Sequence, residues 1–248
     1  MKKETGAVDM EWRLHRETDR VKRWGWGCCV VFCVVSGGGF LAGGEILSAL
    51  ICLGTVVLVS LPFLLERCFH CRLSRGFFLF CLLYAMGPML GKAFKLYYLT
   101  GWWDKLLHTS AGFLFAALGA WLATVLNRWK DTTFLLQVLF GVFFSIAVSA
   151  LWELVEFGVD QWFGGDMQND TVVYTIHSYL LSEVPGEMRI IPKIAAVTLD
   201  GASLGISGYL DIGLIDTMLD VLVETVGAAV FGLWHLVDRD RHPLVRNI

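Results

Sequence analysis

Apolar residues along this chain come in long unbroken runs, not in short alternating or amphipathic patches. About 20 mainly apolar residues carry a helix across the hydrocarbon of a bilayer. Six stretches suit that role: Trp26–Ala42, Ile46–Leu65, Gly76–Gly91, Trp103–Leu126, Thr133–Phe157 and Ile215–Leu236. The third holds Gly87-Pro88 near its end, where the missing backbone donor of Pro predicts a break. Gly43-Gly44-Glu45 joins the first two as in a tight helical hairpin. The expected fold is all-α, a polytopic six-helix transmembrane bundle. Residues 1–25 form a polar cytoplasmic arm, 26–101 hold spans one to three, and 102–248 hold spans four to six.

One long loop, 161–213, separates spans five and six. Gly164-Gly165 opens it, and Val184-Pro185-Gly186 marks a turn inside it. Asp200-Gly201 lies between two β-prone runs, which predicts a short β-hairpin of Lys193–Leu199 with Leu204–Tyr209. A loop of this length serves as a lid over a site or as a cap on the bundle, and both stay open.

Composition agrees with membrane residence: 56% of residues are hydrophobic and 17% charged, against about 25% charged in soluble domains. A net charge of −3 argues against a nucleic-acid partner. Split by the six-span topology, that sum becomes informative. Fifteen Lys and Arg fall on the side of the two termini and five on the other. Both termini are therefore expected in the cytoplasm. The same split gives the cytoplasmic parts +6 and the outer parts −9. The seven cysteines all lie between Cys28 and Cys81. Cys68-Phe69-His70-Cys71 has the spacing of half a zinc site, without a second pair to complete it.

The acids on the outer side concentrate at three span ends. Asp104 and His108 are four apart and share a helix face, with Lys105 beside them. Glu153, Glu156 and Asp160 fall within an arc of roughly 60°, and Asp216, Asp220 and Glu224 within roughly 80°. Only about 20 Å of helix follows Glu224 before Asp238, so Glu224 is expected at hydrocarbon depth and facing the bundle interior. Asp104 and Asp216 also suit N-cap positions. His108 also suits a satisfied interior position, and Asp160 a solvated helix end. Trp102, Trp103, Trp152 and Trp162 suit an interfacial belt.

Carboxylates this close repel one another. Protons, pairing with Lys105, Lys92 or Lys95, or a divalent cation would relieve them. Oxygen donors suit Mg²⁺, Mn²⁺ or Ca²⁺, and the histidine admits Zn²⁺. Asp104, His108, Glu153, Glu156 and Asp220 are the candidate catalytic groups. Asp104, His108, Glu156, Asp220 and Glu224 are the candidate metal ligands. Lys105, Trp152, Asp160, Asp166, Gln168, Asp170 and Asp216 are the candidate substrate contacts.

Four strings carry a family resemblance: Trp102 to His108, Leu151 to Glu156, Asp166 to Thr171, and Gly208 to Met218. Together they resemble the YjdF-like membrane-spanning family. That resemblance implies a bacterial integral membrane protein of unknown biochemical role, in the plasma (inner) membrane, and no reaction. A looser pattern, Asp104-Lys105-x-x-His108 and then Asp216-x-x-x-Asp220 up to Gly227, is similar to VanZ-like proteins. Those are linked to glycopeptide resistance. Glu224 stands where they usually have Asn.

Three functions compete. The first is an outer-leaflet acidic/His pocket that binds a divalent cation and acts on, or binds, a lipid-linked or cell-envelope molecule. The second is a non-catalytic structural or binding protein of the bilayer. The third is a proton-coupled transporter with Glu224 and Glu156 as relays.

Overall fold

The computed structural model describes residues 2–127, 132–238 and 243–247. Seven helices lie among them. They are α1 (Lys2–Ala42), α2 (Ile46–Cys68), α3 (Arg75–Lys92), α4 (Leu96–Leu99), α5 (Trp103–Leu126), α6 (Phe134–Phe163) and α7 (Leu214–Asp238). Eight short strands pair two by two: β1 (Cys71–Leu73) with β8 (Val245–Asn247), β2 (Thr171–Val173) with β7 (Tyr209–Asp211), β3 (Ile176–Ser178) with β4 (Arg189–Ile191), and β5 (Thr198–Leu199) with β6 (Ala202–Ser203). The chain forms two compact units, Met1–Ile146 with Val223–Ile248, and Ala147–Leu222. Arg128, Lys130, Arg239 and Arg241, counted above toward orientation, lie outside the described residues.

Four segments are long and apolar enough to cross a membrane: Asp19–Ala42, Ile46–Cys68, Trp103–Leu126 and Phe134–Phe163. The expected count of six is thus met by four on these grounds. α3 has only 18 residues, with Arg75 and Lys92 at its ends. α7 carries Asp216, Asp220 and Glu224 in its first eleven residues.

In the first unit, the break expected at Gly87-Pro88 does not occur, and α3 runs through Pro88. A proline costs the ladder one N–H, which one helix turn tolerates when packing holds it. Here a Cβ on Gly87 would collide with the Leu107 side chain, and the Gly87 carbonyl accepts a hydrogen bond from Trp103 Nε1 at 3.2 Å. The pair therefore permits close approach of α3 and α5. The tail returns to the α2–α3 connection, where β8 pairs antiparallel with β1 and Ser74 N donates to Leu244 O. Lys22 of α1 reaches the same place. Its buried ammonium lies 2.5 Å from Glu66 Oε1 and 2.7 Å from Leu73 O, over the Phe78 ring. Glu66 in turn accepts from Leu73 N at 2.8 Å.

The two cysteines with the spacing of half a zinc site sit in different surroundings. Cys71 is buried in β1 with its Sγ toward Leu65 O, while Cys68 is exposed.

In the second unit, α6 continues to Phe163, beyond the predicted end at Phe157. The Asp-Gly hairpin turn is present, with φ +50° at Asp200 and +82° at Gly201. Two positive φ angles match the right-handed twist of the flanking strands. Its arms are only two residues each, shorter than expected. Tyr209 does not extend this hairpin, because β7 pairs with β2 and so ties the end of the loop to its start. Val184-Pro185-Gly186 forms the expected turn, with Glu187 N donating to Val184 O and Gly186 at φ +84°.

Candidate functional site

Two helices of the first unit build a buried ionisable cluster. On α5, Asp104 and His108 are one turn apart, and His108 Nε2 lies 3.8 Å from Asp104 Oδ1. The other ring nitrogen, Nδ1, lies 3.7 Å from Glu224 Oε2 on α7. His108 and Glu224 are 7% and 2% exposed, so the pair is closed off from solvent. Ser145 of α6, fully buried, lies within hydrogen-bond reach of Glu224 Oε1 at 3.4 Å and donates to Gly112 O at 3.1 Å. Lys105 Nζ is 3.2 Å from Asp104 Oδ2.

Close packing makes these contacts. A Cβ on Gly112 of α5 would run into the Glu224 carbonyl, and one on Gly227 of α7 into the Thr109 carbonyl. One layer lower, a Cβ on Gly141 of α6 would come within 2.5 Å of Ala116 O. Small residues at such crossings let helix backbones touch, which is the main packing device available in lipid. Glu224 therefore faces a neighbouring helix, as its expected depth required.

The N-cap of α5 is Trp102, whose side chain makes no capping bond. Asp104 sits in the first turn instead, so capping is not its role. Lys92, an expected partner for the acids, donates to Tyr98 OH at 2.9 Å. Lys95 adopts φ +65° at the entry to α4.

The second unit holds the remaining candidates. Glu153, Glu156, Asp216 and Asp220 are all buried. Trp152 Nε1 donates to Glu156 Oε1 at 2.8 Å, so this exposed indole orients a buried acid. Asp160 is not a solvated helix end. Its two oxygens accept from Met167 N at 2.7 Å and Gln168 N at 2.9 Å. Asp216 accepts from Asn169 N at 2.9 Å and Asn169 Nδ2 at 3.1 Å. The cap bond at the start of α7 comes from Asp211, which accepts from Ile215 N. Gln168 Nε2 bonds Thr217 Oγ1. The string Asp166 to Asp170 is thus threaded between α6 and α7 by side chain to backbone bonds. Asp166 and Asp170 themselves are exposed. Partial burial, and then Asp166, Asp211 and Asp160, raise the Asp170 carboxyl above its ordinary value.

Sequence patterning missed Ser145, Gly112 and the Lys22–Glu66 pair. Ser145 left a signal, a hydroxyl in the middle of an apolar run. Gly112 did not, since glycines are frequent throughout these helices.

Long apolar helices packed through glycines, with ionisable groups turned inward, define a polytopic membrane protein. A family model described as predicted membrane protein (DUF2238) matches residues 23–241, and the chain belongs to that family. No curated protein and no solved structure matches it.

Proposed function

We propose that this protein holds a divalent cation at Asp104 and His108, with Glu224 behind the imidazole, and presents it to a lipid-linked or cell-envelope molecule. The observation that carries this is the buried imidazole with a carboxylate at each ring nitrogen, at 3.8 and 3.7 Å. Both distances are too long for hydrogen bonds. The Asp104 distance is close to the separation of about 3.4 Å between two ligand atoms on one tetrahedral ion.

One ion meets only one ring nitrogen, so the two carboxylates take different roles. Asp104 shares the ion with Nε2. Glu224, 3.7 Å from Nδ1 and beyond hydrogen-bond range, favours the proton on that nitrogen electrostatically, the role that carboxylates play behind metal-bound histidines. α7 is one unbroken helix, which puts Asp220 one turn before Glu224 on the same face. A bound cation also offsets the clustering of acids along α7.

The same proposal includes six spans, with α3 and α7 crossing the bilayer and both termini in the cytoplasm of a bacterium. It is supported by β1–β8 pairing and by Lys22, which bring the start of the α1 span, the end of α2 and the tail together. The narrower YjdF-like and VanZ-like affinities rest on the motifs alone.

Metal analysis of detergent-purified protein, after loading with Mn²⁺, Zn²⁺, Mg²⁺ or Ca²⁺ and desalting, tests the site. One equivalent in the wild type and none in Asp104→Asn or His108→Gln is expected. No retained metal in the wild type with any of the four ions would sink it. Retention unchanged in both variants would place the ion elsewhere.

A further inference from the structure

A groove of about 520 Å³, lined by none of those residues, runs between α1 and α3. Arg20, Trp24, Gly25 and Cys28 line one wall, and Arg75 and Leu79 the other. Both arginines are exposed, and neither makes an ion pair among the described residues. Lys22 nearby is different, since Glu66 neutralises it.

Both arginines line the groove at the start of an apolar helical stretch. Arg20 is the second residue of the apolar segment Asp19–Ala42, and Arg75 is the first residue of α3. This is where helices leave hydrocarbon and meet lipid headgroups. Trp24, 75% exposed, adds an indole at the level such rings prefer. Gly25 keeps the wall low, because a Cβ there would approach Leu79 Cδ2 to 2.7 Å. From the groove an apolar stripe descends α1 through Trp24, Cys28, Val31 and Val35. Their i, i+4, i+7, i+11 spacing puts them on one helix face. Val31 and Val35 are 63% and 69% exposed.

We propose that this groove binds one anionic phospholipid, with its phosphate between Arg20 and Arg75 and an acyl chain along the α1 stripe. Guanidinium forks match phosphate oxygens bidentately. Basic pockets between membrane helices recognise anionic headgroups in this way. Inorganic phosphate would use the arginines and leave the stripe unused, so the lipid is the better fit. The site is independent of the cation site.

Native mass spectrometry of the delipidated full-length protein in neutral detergent tests the assignment. The titrants are short-chain phosphatidylglycerol, phosphatidylcholine of the same chain length, and inorganic phosphate. One phosphatidylglycerol per chain is expected, with much weaker binding of the other two. Arg20→Gln and Arg75→Gln should each weaken it about fivefold, and the double variant about 25-fold. Cys28→Trp, which fills the groove and keeps both charges, should abolish it. Equal binding of the two lipids, or an unchanged affinity in folded variants, would overturn the proposal. Phosphate binding as tight as phosphatidylglycerol would overturn the lipid assignment. Melting temperatures without lipid check each variant's fold. If the double arginine variant fails to fold, the Cys28→Trp result decides.

Discussion

Gly227→Ala is a one-methyl perturbation with a calculable consequence. The new Cβ would run into the Thr109 carbonyl, just as a Cβ on Gly112 would run into the Glu224 carbonyl. Both obstacles are backbone and cannot rotate aside like a side chain. α5 and α7 must therefore separate, or their helices distort. Overpacking of this kind costs about 1–3 kcal/mol. For a chain of this size each kcal/mol lowers the melting temperature by about 2–4 °C, so a fall of several degrees is expected. Thr109 is next to His108, so separation should also widen the 3.7 Å spacing between His108 and Glu224. Thermal unfolding in detergent, with metal retention measured on the same samples, is the assay. Gly38→Ala is the control, because a Cβ on Gly38 meets nothing within 4 Å. It should be neutral or stabilising, by up to about 1 kcal/mol of helix propensity. If both variants melt alike, close glycine packing does not hold α5 against α7.

Three further outcomes are expected. Lys22→Met leaves the half-buried Glu66 without its ammonium and should destabilise the protein, by up to about 3 kcal/mol, while Lys22→Met with Glu66→Gln should lose less than the two single changes together; additive losses in a double-mutant cycle would contradict the pairing. Burial, and then Glu66, push the Cys71 thiol up to about 11, so maleimide at neutral pH should label exposed Cys68 and spare Cys71, as peptide mass spectrometry would show; equal labelling would refute the buried position. A carboxyl raised in the folded loop is most stabilising below the ordinary value of 3.8, and that stability is lost as pH rises through the raised value. Hydrogen exchange in loop 164–213 should therefore increase as pH rises above about 4, after correction for intrinsic rates, and Asp170→Asn should flatten the increase; an unchanged profile in the variant would assign it to other groups.

Helix positions were legible because lipid imposes length and apolarity on each segment. Trp103–Leu126 was found to the residue. The Asp-Gly and Pro-Gly turns were legible because their backbone angles demand those residues. Pro88 was misleading, since a local rule about one donor was overruled by packing against Leu107 and Trp103. Asp160 was misread because its partners, Met167 N and Gln168 N, are backbone groups that carry no sequence signature.

Residence in a membrane, the course of the long helices and the ionisable side chains at their ends follow from the amino-acid order alone. Periodicity and hydropathy are local, and they suffice for that. Only the tertiary structure decided which acid meets His108. Asp104 follows from helix spacing, but Glu224 lies 116 residues from His108 in sequence and reaches it only because Gly112 and Gly227 let two backbones touch. It also decided that Lys22, which the sequence counts only as an orienting charge, is buried against Glu66. Contacts between distant segments depend on shape at the crossing, and one chain's pattern of apolar and polar residues does not encode that shape locally.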